Sequence, residues 1–224
     1  RGTDEIVTEN VPGGGFLKFL YGGNVLGKFS LFALVKRKFF SWFFGKYMDS
    51  KLSKSKIAPF VAKHQINLEE YEQPEEGYQT FNEFFYRKIK PKFRPIQEGV
   101  VTPADGRVLA FEKIDTTTQF FVKGSAFSVS SFLADSSLAK KYENGAMFIV
   151  RLAPVDYHRY HFPVDGIAGK NIKIKGHYYS VSPFALRKSL EIFCQNKREY
   201  CIQNSEEYGD VLVCDVGATL TGGI

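Results

Sequence analysis

The sequence predicts an α+β fold: N-terminal amphipathic helices followed by a β-rich, sandwich-like body that carries a few helices. Three observations predict it. Aromatic residues recur at helical spacing before position 65, short strand-like segments separated by Gly, Pro and Asp turns follow Gly99, and two later segments return to helical periodicity. At 224 residues with 44% hydrophobic content, the chain can bury a sizeable core as one large domain or as a domain with an appended layer.

Residues 1–15 read as a loose leader ending in Pro12-Gly13-Gly14-Gly15, a glycine run without the Lys-Ser/Thr pair of a nucleotide loop. Over 16–63 the pattern is helical. Phe39, Phe40, Phe43, Phe44 and Tyr47 fall within one arc and Lys38, Ser41 and Gly45 lie across from them, which predicts an amphipathic helix with an aromatic face. Lys36 intrudes on that face, and Trp42 and Lys46 flank it. A helix lying in a lipid interface with its lysines reaching for headgroups would look like this, and so would one packed on the protein core.

Residues 66–79 are rich in glutamate and predict a polar loop or short helix. Thr80 then stands as an N-cap for a helix over 81–90, with Glu83 completing a capping box and Pro91 and Pro95 stopping it. Strands are predicted at 107–111, 119–122, 146–152, 170–175 and 210–216, and helices at 130–142 and 183–195. In the fourth strand Ile172 and Ile174 alternate with Lys173 and Lys175, as expected when one face is buried. There is no internal repeat and no low-complexity tract.

The formal charge of +6 is unevenly placed: ten basic against four acidic residues before position 61, and twenty of each after it. A nucleic-acid binder would need a basic face on the folded body as well, so this polarity argues against one. An anionic membrane surface suits a basic, aromatic N-terminus, and an ordinary solvated helix is the plainer reading. Cys194, Cys201 and Cys214 are odd in number and outside any Cys-x-x-Cys spacing, so reduced structural thiols are expected, with neither zinc nor disulfides. Uncharged runs such as 29–35 fall far short of the ~18 residues that cross a bilayer. The chain opens on Arg1 without a Met, so a targeting or anchoring segment removed from a precursor stays open.

Two of the four histidines, His64, His158, His161 and His177, sit in one hexapeptide, Asp156-Tyr157-His158-Arg159-Tyr160-His161. Imidazole titrates near ~6.5, so two rings beside Asp156 and Arg159 suggest proton transfer or a metal site, while an isolated His-x-x-His among aromatics more often packs a strand end. Well upstream stands a tight acidic turn, Thr102-Pro103-Ala104-Asp105-Gly106. Further stretches follow in a fixed order with these two: Phe81-Asn82-Glu83-Phe84-Phe85-Tyr86-Arg87, Lys90-Pro91-Lys92-Phe93-Arg94-Pro95-Ile96, Val122-Lys123-Gly124, Tyr179-Ser180-Val181-Ser182-Pro183 and Val216-Gly217-Ala218-Thr219. Together, over roughly two thirds of the chain, they resemble the phosphatidylserine decarboxylases.

The resemblance implies a cofactor made from the protein itself. A serine in a Gly-Ser bond attacks its preceding carbonyl, the ester is split, and the serine remnant becomes a pyruvoyl group at the N-terminus of a small α subunit. It implies His161 as the base that takes the serine proton and Asp105 as its orienting carboxylate, the logic of a Ser-His-Asp set. The pyruvoyl ketone then forms a Schiff base with the amine of phosphatidylserine and accepts the electron pair left by departing carbon dioxide, and phosphatidylethanolamine is released. His158 is the candidate acid for the carbanion and a contact for the substrate carboxylate. On a flat strand residues 158 and 161 would face opposite sides, so a bend is expected, which Pro154, Pro163 and Gly166 favour. Arg151 and Arg159 are candidates for the lipid phosphate, because guanidinium offers paired donors. His177 and Tyr179 are candidates for lining the same pocket, with loop packing as the default.

The family's cleavage site lies downstream of the histidines, whereas the sole Gly-Ser pair here, Gly124-Ser125, is upstream and the chain ends Thr221-Gly222-Gly223-Ile224. The chain is therefore expected to be most of the large (β) subunit without its C-terminal segment, the pyruvoyl serine lying outside it. Residues 1–65 would form the membrane-association region and 66–224 the catalytic body. Expected partners are the small pyruvoyl-bearing α subunit, phosphatidylserine and an anionic membrane surface, with no nucleic acid, no metal, and a homodimer of the α/β unit left open. The expected location is peripheral on a membrane: the mitochondrial inner membrane or endoplasmic reticulum in a eukaryote, the cytoplasmic membrane in a bacterium. Two rivals stand beside this reading, a metal-dependent hydrolase using His158, His161 and Asp105 or Asp156, and a non-catalytic lipid-binding module.

Overall fold

A computed structural model describes residue 15 and residues 38–114, 128–181 and 192–218. The Gly-rich leader, the helical run before Lys38, the strand at 119–122, the Val122-Lys123-Gly124 stretch, the Gly124-Ser125 pair and most of the helix at 183–195 lie outside the described residues.

The aromatic arc divides between two surroundings. In α1 (Lys38–Met48) Phe44 and Tyr47 are half-buried, whereas Trp42 and Phe43 are exposed. A 3-10 turn (Lys51–Lys56) and α2 (Ile57–His64) follow, and both dock on α3 (Phe81–Phe85). The hydroxyl of fully buried Ser53 accepts from the Phe81 N–H (2.8 Å), and Phe60 meets Phe81 and Phe84 edge-on at 5.4 and 5.9 Å. Among the described residues no helix is long and apolar enough to cross a membrane.

Thr80 caps α3 as its sequence predicts, its hydroxyl accepting from the Glu83 N–H at 3.1 Å. The reciprocal bond is displaced by one residue, since the Glu83 carboxylate accepts from the Gln79 N–H (2.6 Å). The helix is also shorter than the expected 81–90. Beyond it the backbone is drawn into pairing with the glutamate-rich segment, Glu72 N–H to the Lys88 carbonyl (2.7 Å) and Lys90 N–H to the Glu70 carbonyl (2.9 Å), and groups bonded sideways cannot continue a helix.

Two antiparallel sheets follow, which makes the chain α+β. In the first, β1 (Arg107–Phe111) pairs with β2 (Met147–Arg151), Arg107 opposite Arg151. Gly106 permits the approach: a Cβ there would stand 2.8 Å from the Arg151 carbonyl oxygen. In the second, β5 (Arg198–Ser205) is central and pairs with β3 (Ile167–Ala168), β4 (Ile172–Ile174) and β6 (Gly209–Val216).

The single helix expected over 130–142 is two, α4 (Val129–Leu133) and α5 (Ser136–Lys141). Ala134 turns left-handed (φ 53°) and the Asp135 carboxylate caps the second helix by accepting from Ser137 and Leu138 N–H at 2.9 Å. Ile114, Val129, Leu133 and Ala139 form a buried cluster against which Phe111, Met147, Ile149, Phe193 and Leu212 pack, so α4 and α5 join the two sheets. The last described helix, α6 (Ile192–Gln195), leads into β5.

Asn196, with no exposed surface, fastens this junction. Its amide nitrogen donates to the Tyr179 and Gly217 carbonyls (both 2.8 Å) and its oxygen accepts from the Tyr179 N–H (2.9 Å). Truncation strands these buried groups at about 1–3 kcal/mol each, so Asn196→Ala is expected to lower the unfolding free energy by roughly 2–4 kcal/mol, read from the urea midpoint.

Candidate active site

Two loops meet to build the site. The chain leading into β1 and the chain leaving β2 run antiparallel, with the Val101 N–H donating to the Pro163 carbonyl (2.9 Å) and the His161 N–H to the Pro103 carbonyl (3.0 Å). Both acceptors are prolines, which have no N–H to return, so each rung runs one way. The segment of His161 is thus bonded to the turn of Asp105, as the two motifs together suggest.

The side chains are engaged differently. Arg94 holds both Asp105 oxygens, its Nε at 3.2 and 3.1 Å and a terminal nitrogen at 2.9 Å. In this structure, then, the carboxylate meets a guanidinium fork and not the His161 ring, and its tie to His161 runs through the backbone. The reason is geometric: the fork satisfies both oxygens at once, which one imidazole N–H cannot do. Among the described residues the His161 ring makes no hydrogen bond.

The bend expected at 158–161 falls earlier: the chain leaves β2 into a turn at 154–156, upstream of the histidines, and residues 157–162 are neither strand nor bend. Asp156 N–H donates to the Ala153 carbonyl (2.9 Å) and the Asp156 carboxylate accepts from the Ala153 N–H (2.6 Å). His158 folds back onto this turn, Nε2 lying 3.0 Å from the same Ala153 carbonyl, and stacks on Phe85 at 4.1 Å. A carbonyl only accepts, so Nε2 carries the hydrogen and Nδ1 the lone pair. Burial, helped by the charge of Arg87, lowers the His158 pKa, which favours the neutral ring.

Between the loops lies a cavity of about 600 Å³ lined by Arg94, Asp105, Arg107, Arg151, Ala153 and Asp156 among others. Neither imidazole is on its lining, though both segments that carry the motifs are. Arg107 and Arg151 face each other across β1 and β2, which sets two guanidinium side chains on the cavity's lining. Arg159 is not with them: its Nε donates to the Tyr86 carbonyl at 2.7 Å. His177 and Tyr179 are also elsewhere. Their rings meet at 5.5 Å on the loop bound by Asn196, outside this cavity's lining.

All three cysteines are free thiols, and burial pushes Cys214 up to about 12 and raises Cys201, so neither forms a thiolate near neutrality. Among the described residues no three His, Cys, Asp or Glu side chains gather as a metal-ligand set. Sequence reasoning did not single out Arg87 and Arg94, which organise the site, or Asn196, which fastens the separate Tyr179 loop. The first two lie inside motifs already noted, Arg87 at the end of one and Arg94 between Phe93 and Pro95 in the other. Asn196 gave no signal, being a lone polar residue in a connecting stretch.

The family described as phosphatidylserine decarboxylase matches residues 81–224. The chain is 51% identical, over its whole length and 75% of the relative's, to a phosphatidylserine decarboxylase proenzyme of Fusobacterium nucleatum. It is 46% identical to the protein of that name from Clostridium novyi, covering 96% of this chain and 74% of the relative, and 45% identical to the one from Ruminiclostridium cellulolyticum, covering 100% and 75%. By motif, by overall identity and by coverage, this chain belongs to the phosphatidylserine decarboxylase family.

Proposed function

We propose that this chain carries the acid–base residues of a self-processing, pyruvoyl-dependent decarboxylase that converts phosphatidylserine to phosphatidylethanolamine and carbon dioxide. The observation that carries the reading is the backbone pairing that sets His161, its ring without a hydrogen bond, against the turn of Asp105. His161 takes the proton of the attacking serine. Asp105, whose carboxylate Arg94 holds beside that pairing in this structure, orients the imidazole once it exchanges the guanidinium for the ring N–H.

A serine-derived pyruvoyl group suits these surroundings, since the cavity lining supplies guanidinium donors for carbonyl and carboxylate oxygens alike. When bound, its ketone supplies the electron sink for decarboxylation. The serine comes from outside residues 1–224, on a small companion subunit. His158, anchored through Nε2–H, passes a proton at Nδ1, taking it up before delivering it to the substrate carbon. Arg151, with Arg107 across the ribbon, receives the lipid phosphate. Arg159, His177 and Tyr179 support the loops around it.

Residues 1–65 form the membrane-associating region and 66–224 the sandwich-like catalytic body. Exposed Trp42 and Phe43 on α1 and the basic N-terminal charge support a peripheral position on an anionic membrane. Phenylhydrazine, which captures ketones, should abolish release of carbon dioxide from phosphatidylserine, while dialysis against EDTA should leave it intact. Loss on chelation, with activity surviving phenylhydrazine, would assign the histidine pair to a metal instead.

A further inference from the structure

Arg87 ends the Phe81–Arg87 motif and is only 2% exposed. Its guanidinium lies over the rings of Tyr71 (4.4 Å) and Phe84 (4.8 Å). One terminal nitrogen donates to the Phe84 carbonyl (3.3 Å), and the other reaches the Val155 and Asp156 carbonyls (3.2 and 3.5 Å). Nε is buried without a partner, and no carboxylate pairs with the charge among the described residues. A buried cation answered only by carbonyl dipoles and rings is an expensive way to fill space.

What it reaches suggests its use. Val155 and Asp156 belong to the turn that Asp156 closes onto Ala153, and the Ala153 carbonyl in turn holds His158 Nε2. From the other side Phe85, two residues before Arg87, stacks on the same imidazole. One short helical motif therefore grips His158 twice, by a ring directly and by a guanidinium through the turn.

We infer that Arg87 is a positioning residue of the reaction centre: through the Val155 and Asp156 carbonyls it seats the turn whose Ala153 carbonyl fixes the His158 ring. The inference deepens the proposed function, on which it rests for the use made of His158. The charged groups set around that imidazole are Arg87, just past the end of α3, and Asp156 from its own turn, since Arg159 is tied to Tyr86. Removing Arg87 loosens the seat and deletes a repelling cation. Deleting the cation and wetting the buried ring let it keep its proton to higher pH, and because burial is the largest cause they outweigh the weakened Ala153 carbonyl contact, which favours the protonated form.

The test uses Arg87→Met and Arg87→Lys in the full-length, self-processing protein, with ¹⁵N titration of the His158 ring and steady-state decarboxylation. Arg87→Met should move the His158 titration to higher pH and lower kcat by about ten- to a hundredfold, with KM within about twofold. Arg87→Lys, which keeps the charge and loses the fork, should lose kcat while its titration stays nearer the wild type. Unchanged kcat and titration in Arg87→Met, or a loss confined to KM, would overturn the inference; if that variant does not fold, unchanged kcat in Arg87→Lys does so. A wild-type protein that makes no phosphatidylethanolamine would refute the proposed function and leave the titration to decide the seat.

Discussion

With His161 replaced by alanine, the full-length protein is expected to remain one uncut polypeptide, its self-processing slowed by at least about a thousandfold, as when a nucleophile loses its base. The size of the effect follows from how the residue is held. Its backbone is bonded to the Pro103 carbonyl whatever side chain it carries, so the loop should keep its place, and a half-exposed ring without a hydrogen bond adds little to stability. His158 cannot substitute, because its Nε2 is committed to Ala153 and its ring to Phe85. The control is His64→Ala, a ring packed on Phe60 at 4.6 Å away from both motifs, which should cut normally. Gel electrophoresis and intact mass report the outcome, and normal cutting of the His161 variant would remove that residue from the reaction.

The largest loss of stability is expected from Phe84→Ala, about 3–5 kcal/mol by analogy with other buried rings. Phe84 has no exposed surface and meets Phe60, Tyr78 and Phe81 at 5.9, 5.8 and 5.7 Å. It also underlies the Arg87 guanidinium at 4.8 Å, so its loss opens a cavity and unseats a buried charge together. Against a typical total of about 5–15 kcal/mol, such a loss brings the fold close to its limit. Urea unfolding measures it. A change below about 1 kcal/mol would mean that the neighbouring rings collapse into the space, and that the N-terminal helices are not joined to the body through this side chain.

Where local chemistry and tertiary setting agree, the fold was legible. β1, β2, β4 and β6 fall on segments whose composition predicts strands, and Gly106 marks the close crossing that starts the first sheet. β5, the centre of the larger sheet, was not anticipated, because Arg198, Glu199, Gln203 and Ser205 make it read as polar. All four are buried, and the three largest have fixed partners: Arg198 on the Cys194 and Asn196 carbonyls, Glu199 with Lys197 and Lys173, and Gln203 on the Val164 carbonyl. Periodicity cannot see partners such as Val164 and Lys173 that lie far along the chain, nor carbonyls that only the folded backbone presents. The split at Ala134 shows the reverse case, a local event at Asp135 overriding a continuous helical pattern.

The site divides along the same line. The association of the Asp105 turn with the His161 segment was legible, because both motifs belong to one recognisable set. Arg94 was not, since its pairing with Asp105 depends on the 3-10 turn at Pro91–Phe93 aiming the side chain, which composition does not specify. Nor was the tautomer of His158, which depends on a carbonyl five residues back in a turn closed by Asp156.

The two proline-accepted rungs have one more consequence. They index His161 against Pro103 by counting backbone units, so the alignment tolerates changes of side chain around it far better than a change of loop length. Gain or loss of one residue between Val101 and Pro103 would shift the frame by a single step and turn the imidazole to the opposite side, leaving a folded protein with an idle centre.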